Sequence, residues 1–203
     1  MKSLLTLFIA GLFPALAFSQ ESEKPKTESK PSKAKSSEVT VVMSTSMGDI
    51  HIELDSKRSP KTVANFLQYV DAKFYDGTVF HRVIGNFMIQ GGGFELKDDK
   101  LSKKATKAPI KNESKKSGPN VRGSIAMARL PDPHSATSQF IINVVDNAGL
   151  NYPNNGGGYA TFGKVVKGME IVDKIRGVKT GFSQGMGDVP KVPVVINSVK
   201  RAK

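Results

Sequence analysis

The chain has no cysteine, no tryptophan and only three histidines among 203 residues. Without cysteine there are no disulfides, no zinc–thiolate sites and no thiol nucleophile. Its absence says little about redox compartment, because a core of this size needs no covalent staples. His51, His81 and His134 lie far apart with none at an i, i+4 spacing, which argues against a metal site. Ser138, His81 and Asp146 are the residue types of a hydrolase, but no G-x-S-x-G elbow surrounds the serine, so that chemistry is set aside. Acidic residues are also scarce, 18 against 30 basic ones, for a formal charge of +12 with 38% hydrophobic residues. The balance is that of a soluble, basic, globular protein of one domain plus extras.

The extras come first. Lys2 is followed by an apolar run from Leu4 to Phe13, then Pro14 and the small-residue stretch Ala15-Leu16-Ala17-Phe18-Ser19. That order predicts a signal peptide over residues 1–19, with an uncut N-terminal anchor as the alternative. Pro14 interrupts the run before it reaches the ~20 residues a spanning helix needs. No cysteine follows the run, which excludes a bacterial lipid anchor. Residues 20–38 are rich in Lys, Ser, Pro and Glu with almost no apolar content, the composition of a flexible linker.

The folded unit is expected over 39–203. Strands are predicted at Val39–Thr45, at Ile50, Ile52 and Leu54 alternating with His51 and Glu53, and at Thr78–Ile84. Further strands are expected at Gly123–Arg129, Ser138–Val145, Tyr159–Val166 and Val192–Val199. Ser59-Pro60 reads as an N-cap with proline at the first helical position, ahead of an apolar stripe at Val63, Phe66, Leu67 and Val70. Met169, Val172 and Ile175 mark a second short helix between Gly168 and Gly177. Residues 95–119 are lysine-rich without an aromatic and read as an exposed basic loop. Nucleic-acid modules interleave stacking aromatics with their charge, so no nucleic-acid partner is expected. Asn112-Glu113-Ser114 has the pattern of a glycosylation sequon. The Gly158–Lys164 spacing of a P-loop is rejected, because Val165 stands where a magnesium-binding hydroxyl is required. With no repeat and no βαβ alternation, the fold class is all-β: an antiparallel barrel or sandwich with helices over its ends.

One stretch, Phe80-His-Arg-Val-Ile-Gly-Asn-Phe-Met-Ile-Gln-Gly-Gly-Gly-Phe94, stands apart. Two short apolar runs flank a Gly-Asn pair that reads as a tight hairpin turn, and three glycines follow. An apolar wall beside a single arginine and a glutamine fits a shallow site that grips a ring and polarises something next to it. It equally fits a core hairpin with one solvent-facing arginine.

With the downstream motifs Gly123-Ser-Ile-Ala-Met-Ala128, Thr137-Ser-Gln-Phe140 and Phe162-Gly-Lys-Val165, the chain resembles the cyclophilin-type peptidyl-prolyl cis-trans isomerases over roughly residues 39–200. The resemblance is strongest to small exported bacterial members. It implies a closed eight-stranded antiparallel β-barrel capped by two short helices, no cofactor and no metal. Arg82 would be the catalytic residue. Phe87, Met88 and Leu150 would line a proline pocket, Gln90 would bind substrate backbone, and Ala128, Arg129 and Gln139 would line the peptide groove. Tyr159 stands where many members have histidine, and Ile141 where a phenylalanine commonly forms the pocket floor. Gly149 stands where eukaryotic members often have tryptophan, which implies weak or no cyclosporin binding. The expected partners are proline-containing unfolded or partly folded polypeptides. The expected setting is the periplasm, as a monomer without stable membrane insertion after signal cleavage. A cyclophilin-like chaperone or proline-peptide binding module with little turnover is the alternative.

Overall fold

The computed structural model describes residues 39–202. The expected signal peptide (1–19) and linker (20–38) lie outside the described residues. β1 (Thr40–Thr45) and β2 (Gly48–Leu54) open the chain, and α1 (Pro60–Asp71) follows. Next come β3 (Thr78–Val79), β4 (Arg82–Ile84), β5 (Met88–Gly91), β6 (Phe94–Lys97) and β7 (Lys100–Lys103). β8 (Ser124–Met127) and β9 (Phe140–Asn143) precede the one-turn α2 (Asn154–Gly157) and β10 (Thr161–Lys167). α3 (Met169–Arg176), β11 (Thr180–Ser183), β12 (Met186–Pro190) and β13 (Val195–Arg201) complete the described chain.

Eleven of these strands form one sheet in the order β4-β5-β9-β8-β10-β2-β1-β13-β3-β6-β7, and β11 and β12 form a separate hairpin. Every pairing is antiparallel. β3 and β4 are successive pieces of one strand broken at Phe80 and His81, and β5 and β6 are pieces of another broken at Gly92 and Gly93. The first bent strand pairs with β13 at Val79 and with β5 at Arg82, so the order returns on itself. Counted this way the wall is the expected closed barrel of eight strands, with β7 hung on one edge. The expected tight Gly-Asn turn is a three-residue one, 85–87, since Ile84 faces Met88 across it.

Alternation decides which side chains fill the barrel. Val41, Met43, Ile50, Ile52, Leu54, Val83, Ile89, Ile125, Ile142, Phe162 and Ile196 all belong to one buried cluster. Phe66 of α1 and Val172 and Ile175 of α3 join that cluster, and a helix reaches barrel-interior residues only through an open end. Phe66 packs on the rings of Tyr75, Phe140 and Phe162 with centroids 5.1, 6.0 and 5.1 Å away.

Two local expectations change. Ser59 does not cap α1 with its side chain; its hydroxyl instead donates to the Thr161 carbonyl at 2.7 Å. The exposed N–H groups of the first turn are served by Glu113, which accepts from the Lys61 and Thr62 amides at 3.2 and 2.8 Å. A carboxylate there also opposes the positive end of the helix dipole. Residues 95–119 are therefore more than an exposed loop. Their lysines are largely exposed, but the backbone forms the β6–β7 hairpin, bridges Ile110 to Ala136 and docks the Lys107 amide on the Tyr69 hydroxyl at 2.9 Å. Within the sequon, Asn112 Nδ2 already donates to the carbonyls of Gly157 and Gly158, at 3.2 and 3.0 Å. Replacing Glu113 by alanine should lower the unfolding free energy by about 1–2 kcal/mol, the scale of a lost helix cap. It should also speed hydrogen exchange at the Thr62 amide, and unchanged protection there would show that Glu113 does not hold the helix start.

Candidate functional site

The side chains that do not enter the barrel build the site. Across β4, β5, β9 and β8 the register places Arg82 opposite Gln90, Gln90 opposite Ile141, and Ile141 opposite Ala126. The period of two then puts Ile84, Met88, Gln139 and Ala128 on this same outer face. Their neighbours Val83, Ile89, Phe140, Ile142, Ile125 and Met127 all point to the core. Met88, Ala126, Ile141 and Leu150 form a second buried cluster of their own, with Ile84, Phe87, Ala128 and Tyr159 packed against it. At this face Ile141 is 4% exposed and Leu150 6%, so the apolar floor is shallow and tightly packed.

A buried amide network ties the walls of this floor together. Asn120 Nδ2 donates to the carbonyls of Leu150 and Tyr159 at 3.2 and 3.1 Å. Asn143 donates to Asn120 Oδ1 at 3.2 Å, and Asn147 donates to Asn143 Oδ1 at 2.7 Å and to the Phe87 carbonyl at 2.8 Å. Phe87, Leu150 and Tyr159 come from three separate segments, and a satisfied polar network in low dielectric fixes them relative to one another. None of the three asparagines stands out in the sequence reading; the one signal is a polar residue inside the apolar run Phe140-Ile-Ile-Asn-Val-Val145.

Beside the apolar floor lies a polar recess of about 370 Å³ lined by His81, Arg82, Gln90, Phe94, Gln139, Met186 and Gly187. Gln90 Nε2 donates to Gln139 Oε1 at 2.9 Å. Gly93 makes room for that pair, because a Cβ there would come within 2.5 Å of the Gln139 side chain. Gly92 combines a φ of +78° with a Cβ position 2.7 Å from the Phe140 ring, so it admits no side chain. From behind, Asn65 Nδ2 and the Tyr75 hydroxyl donate to the carbonyls of Thr137 and Ser138, at 2.6 and 2.9 Å, and so set the entry of β9.

Arg82 is about half exposed, and its one charged partner among the described residues is Asp188, whose carboxylate lies 3.6 Å from Nε. Asp188 has a local cause for its position. In the β11–β12 hairpin Gly181 faces Val189 and Ser183 faces Met186, so Gly187 and Asp188 together oppose Phe182 alone. Such a bulge bends a strand and re-aims its side chains, and Asp188 takes a φ of +61° in it. Its contact with Arg82 spans more than a hundred residues of chain and leaves no local trace in the sequence.

His81 is buried, with its ring against Phe94 at 4.6 Å between centroids. Burial, with a smaller contribution from the Arg82 charge, holds its pKa down at about 4, against the pull of the Val79 carbonyl and the Gln139 side chain. Among the described residues Nδ1 of His81 and Oγ of Ser138 are each buried without a hydrogen-bond partner, so they do not form a nucleophile–base pair. Arg129 lies at the groove, but its guanidinium is taken up by the carbonyls of Gly158, Leu130, Pro131 and Asn155 and stacks 4.5 Å over the Tyr159 ring. Its contribution is to hold Tyr159 and the 153–158 segment in place.

Arg82, Phe87, Met88, Gln90, Ala128, Gln139, Ile141, Leu150 and Tyr159 are thus brought to one face: a fixed cation and a pair of amides beside an apolar floor. Among the described residues no cluster of His, Cys, Asp and Glu is grouped to hold a metal ion.

Residues 40–201 match the family model of the cyclophilin type peptidyl-prolyl cis-trans isomerases. A peptidyl-prolyl cis-trans isomerase of Streptomyces antibioticus is 55% identical over 164 residues, covering 79% of this chain and 97% of the relative. Peptidyl-prolyl cis-trans isomerase B of Escherichia coli is 53% identical, covering 78% of this chain and 97% of that protein. A cyclophilin-type isomerase from Cryptosporidium parvum, crystallised in the presence of the dipeptide Ala-Pro, shares the fold with a TM-score of 0.67 at 24% identity, covering 81% of this chain and 99% of its own. A closed antiparallel barrel, a cation beside an apolar floor on its outer face and this degree of identity lead to one conclusion: the chain belongs to the cyclophilin-type peptidyl-prolyl cis-trans isomerases.

Proposed function

We propose that this isomerase turns X–Pro bonds at the outer face of β4, β5, β9 and β8, with Arg82 as the catalytic residue. The observation that carries the reading is Arg82 standing half exposed beside the Met88–Ile141–Leu150 floor, on the same face and in register with Gln90. Amide resonance opposes X–Pro rotation by about 18–20 kcal/mol. As the bond twists, the prolyl nitrogen regains its lone pair and becomes pyramidal. An N–H donor aimed at that nitrogen stabilises the twisted state more than either planar state, which is the condition for catalysis. Arg82 is suited to this because a guanidinium presents a planar fork of donors on a delocalised cation. Among the described residues its terminal nitrogens donate to no protein group, while Asp188 faces Nε.

The proline ring rests on Phe87, Met88, Ile141 and Leu150, with Tyr159 and Ala128 at the rim. Gln90 and Gln139, already paired with each other, anchor the substrate backbone while the preceding carbonyl swings. A charge-assisted hydrogen bond contributes about 1.5–3 kcal/mol, one to two decades of rate at ~1.36 kcal/mol per decade. Preorganised dipoles and a ring held still supply the remainder. The substrates are proline-bearing polypeptides that have not finished folding. We place their folding in the periplasm, reached through a signal peptide at residues 1–19 that a linker at 20–38 follows; the charged start and apolar run of the sequence support this.

Arg82→Ala should slow isomerisation of a proline tetrapeptide by about 10- to 100-fold, the one to two decades of the hydrogen bond. Arg82→Lys should also fall well short of the parent, since a point charge does not reproduce the fork. Exchange spectroscopy by NMR measures both, and a fully active alanine variant would remove Arg82 from the mechanism.

Activity and stability should respond differently to pH. The mechanism uses no general acid or base, and His81 stays neutral above its pKa of about 4, so the rate should be flat from pH 6 to 9. Unfolded histidine binds its proton near pH 6.5, whereas folded His81 does so only near 4. Between these values the unfolded chain holds the extra proton, so this stabilisation is complete above pH 6.5 and falls as pH drops toward 4, by about 3 kcal/mol. Urea titrations should show that slope in the parent and its loss in His81→Gln. A bell-shaped rate profile, or an equal slope in the variant, would contradict the assignment.

A further inference from the structure

A second groove, of about 480 Å³, lies next to the Arg82 recess, and the mechanism above makes no use of it. Its floor is Val79, Phe80 and His81, the break between β3 and β4. Leu96 and Leu101 of the β6–β7 hairpin form one wall, and Phe182, Val189 and Pro190 of the β11–β12 hairpin form the other. The lining is mixed, with Asp99, Ser183, Gln184 and Lys191 set among these apolar side chains, and Phe182 is 79% exposed, a large aromatic left in water.

The groove is held open by a specific device. At the tip of the β11–β12 hairpin Gln184 and Gly185 take φ of +49° and +79°, the positive pair of a tight type I′ turn. The Gln184 side chain then reaches β7: its Oε1 accepts from the Leu101 amide at 2.7 Å and its Nε2 donates to the Leu101 carbonyl at 3.2 Å. The primary amide thus pairs with the edge strand as a neighbouring strand would, and the two hairpins are fastened across the space between them. The bulge that aims Asp188 at Arg82 also leaves Phe182 standing alone opposite Gly187 and Asp188.

The groove and the recess adjoin at His81. His81 lines both, and the β11–β12 hairpin lends Met186 and Gly187 to the recess and Phe182 and Val189 to the groove. We infer that the groove is an accessory subsite that takes a bulky apolar side chain of the same polypeptide whose proline sits beside Arg82. The inference rests on the Arg82 face being where proline turns. Phe80 is two residues along the bent strand from Arg82, about 7 Å at strand rise. An extended substrate covers that distance in two to three residues, so the side chain that enters the groove belongs about two to three residues from the proline. A folded protein keeps such side chains inside; an unfolded one presents them. The subsite therefore favours unfinished chains over short or fully polar peptides.

The test uses two pairs of decapeptides with one central X–Pro bond, in which the residue three positions before or three positions after proline is phenylalanine or alanine. With the parent protein, kcat/KM should favour the phenylalanine peptide of at least one pair by about three- to tenfold, through KM, as expected for partial burial of one ring. Phe182→Ser should reduce that preference to near unity and Phe182→Leu should restore most of it. Binding to Arg82→Ala should keep the preference even though turnover falls. Absence of a phenylalanine preference in the parent, or its survival in Phe182→Ser, would overturn the subsite. Full turnover by Arg82→Ala would instead overturn the proline-site reading, so the two failures are distinguishable.

Discussion

Everything at this site depends on the two-residue alternation of β4, β5, β9 and β8. β8 and β9 are buried on both sides, β5 nearly so, and β4 keeps Arg82 half exposed: one set of side chains fills the barrel and the other builds the outer floor. Val83, Ile89 and Ile142 belong to the interior cluster, while Met88, Ile141 and Leu150 make a separate one outside the wall. A slip of one residue in any pairing would send the site into the core and the core into water. The register that stabilises the barrel is thus the same register that sets Arg82 opposite Gln90 and Gln90 opposite Ile141.

Around that sheet the supporting parts are polar and distant in sequence. Asn120, Asn143 and Asn147 knit the carbonyls of Phe87, Leu150 and Tyr159 into a fixed outline. Arg129 holds Tyr159 from above, and α1 with its following turn holds the entry of β9. The β11–β12 hairpin comes in from the far end of the chain, sets Asp188 beside Arg82 and walls the neighbouring groove. Preorganisation is therefore spread over the domain, while the group proposed to meet the prolyl nitrogen is a single side chain.

Which parts were legible in the sequence follows from the physics of each. Ile50, Ile52 and Leu54 alternate cleanly because β2 has a well-defined inner face, and the α1 stripe at Val63, Phe66, Leu67 and Val70 has one apolar side, so both were readable. Arg82 and Gln90 were readable because they flank a turn within one short stretch. β6, β7, β11 and β12 were not, because hairpins held partly in water carry little alternation: Lys100-Leu-Ser-Lys103 and Met186-Gly-Asp-Val-Pro190 look like loops. Asp188 and the asparagine network owe their positions to long-range contacts that leave no periodic trace. At Ser59 a sound local rule lost to a tertiary one, since a buried hydrogen bond to Thr161 claimed the hydroxyl and Glu113 took over the helix start.

The central claim is that proline meets the outer face of these four strands. The most direct test is a titration of the protein with a proline peptide, followed by methyl and side-chain amide NMR. Met88, Ile141 and Leu150 methyls and the Gln90 and Gln139 amides should shift together along one binding curve. Val121 and the Gly163 and Lys164 amides, at the groove of about 500 Å³ near Glu53 and Arg58, should stay still. Shifts confined to that groove, with the Met88–Ile141–Leu150 face silent, would contradict the account.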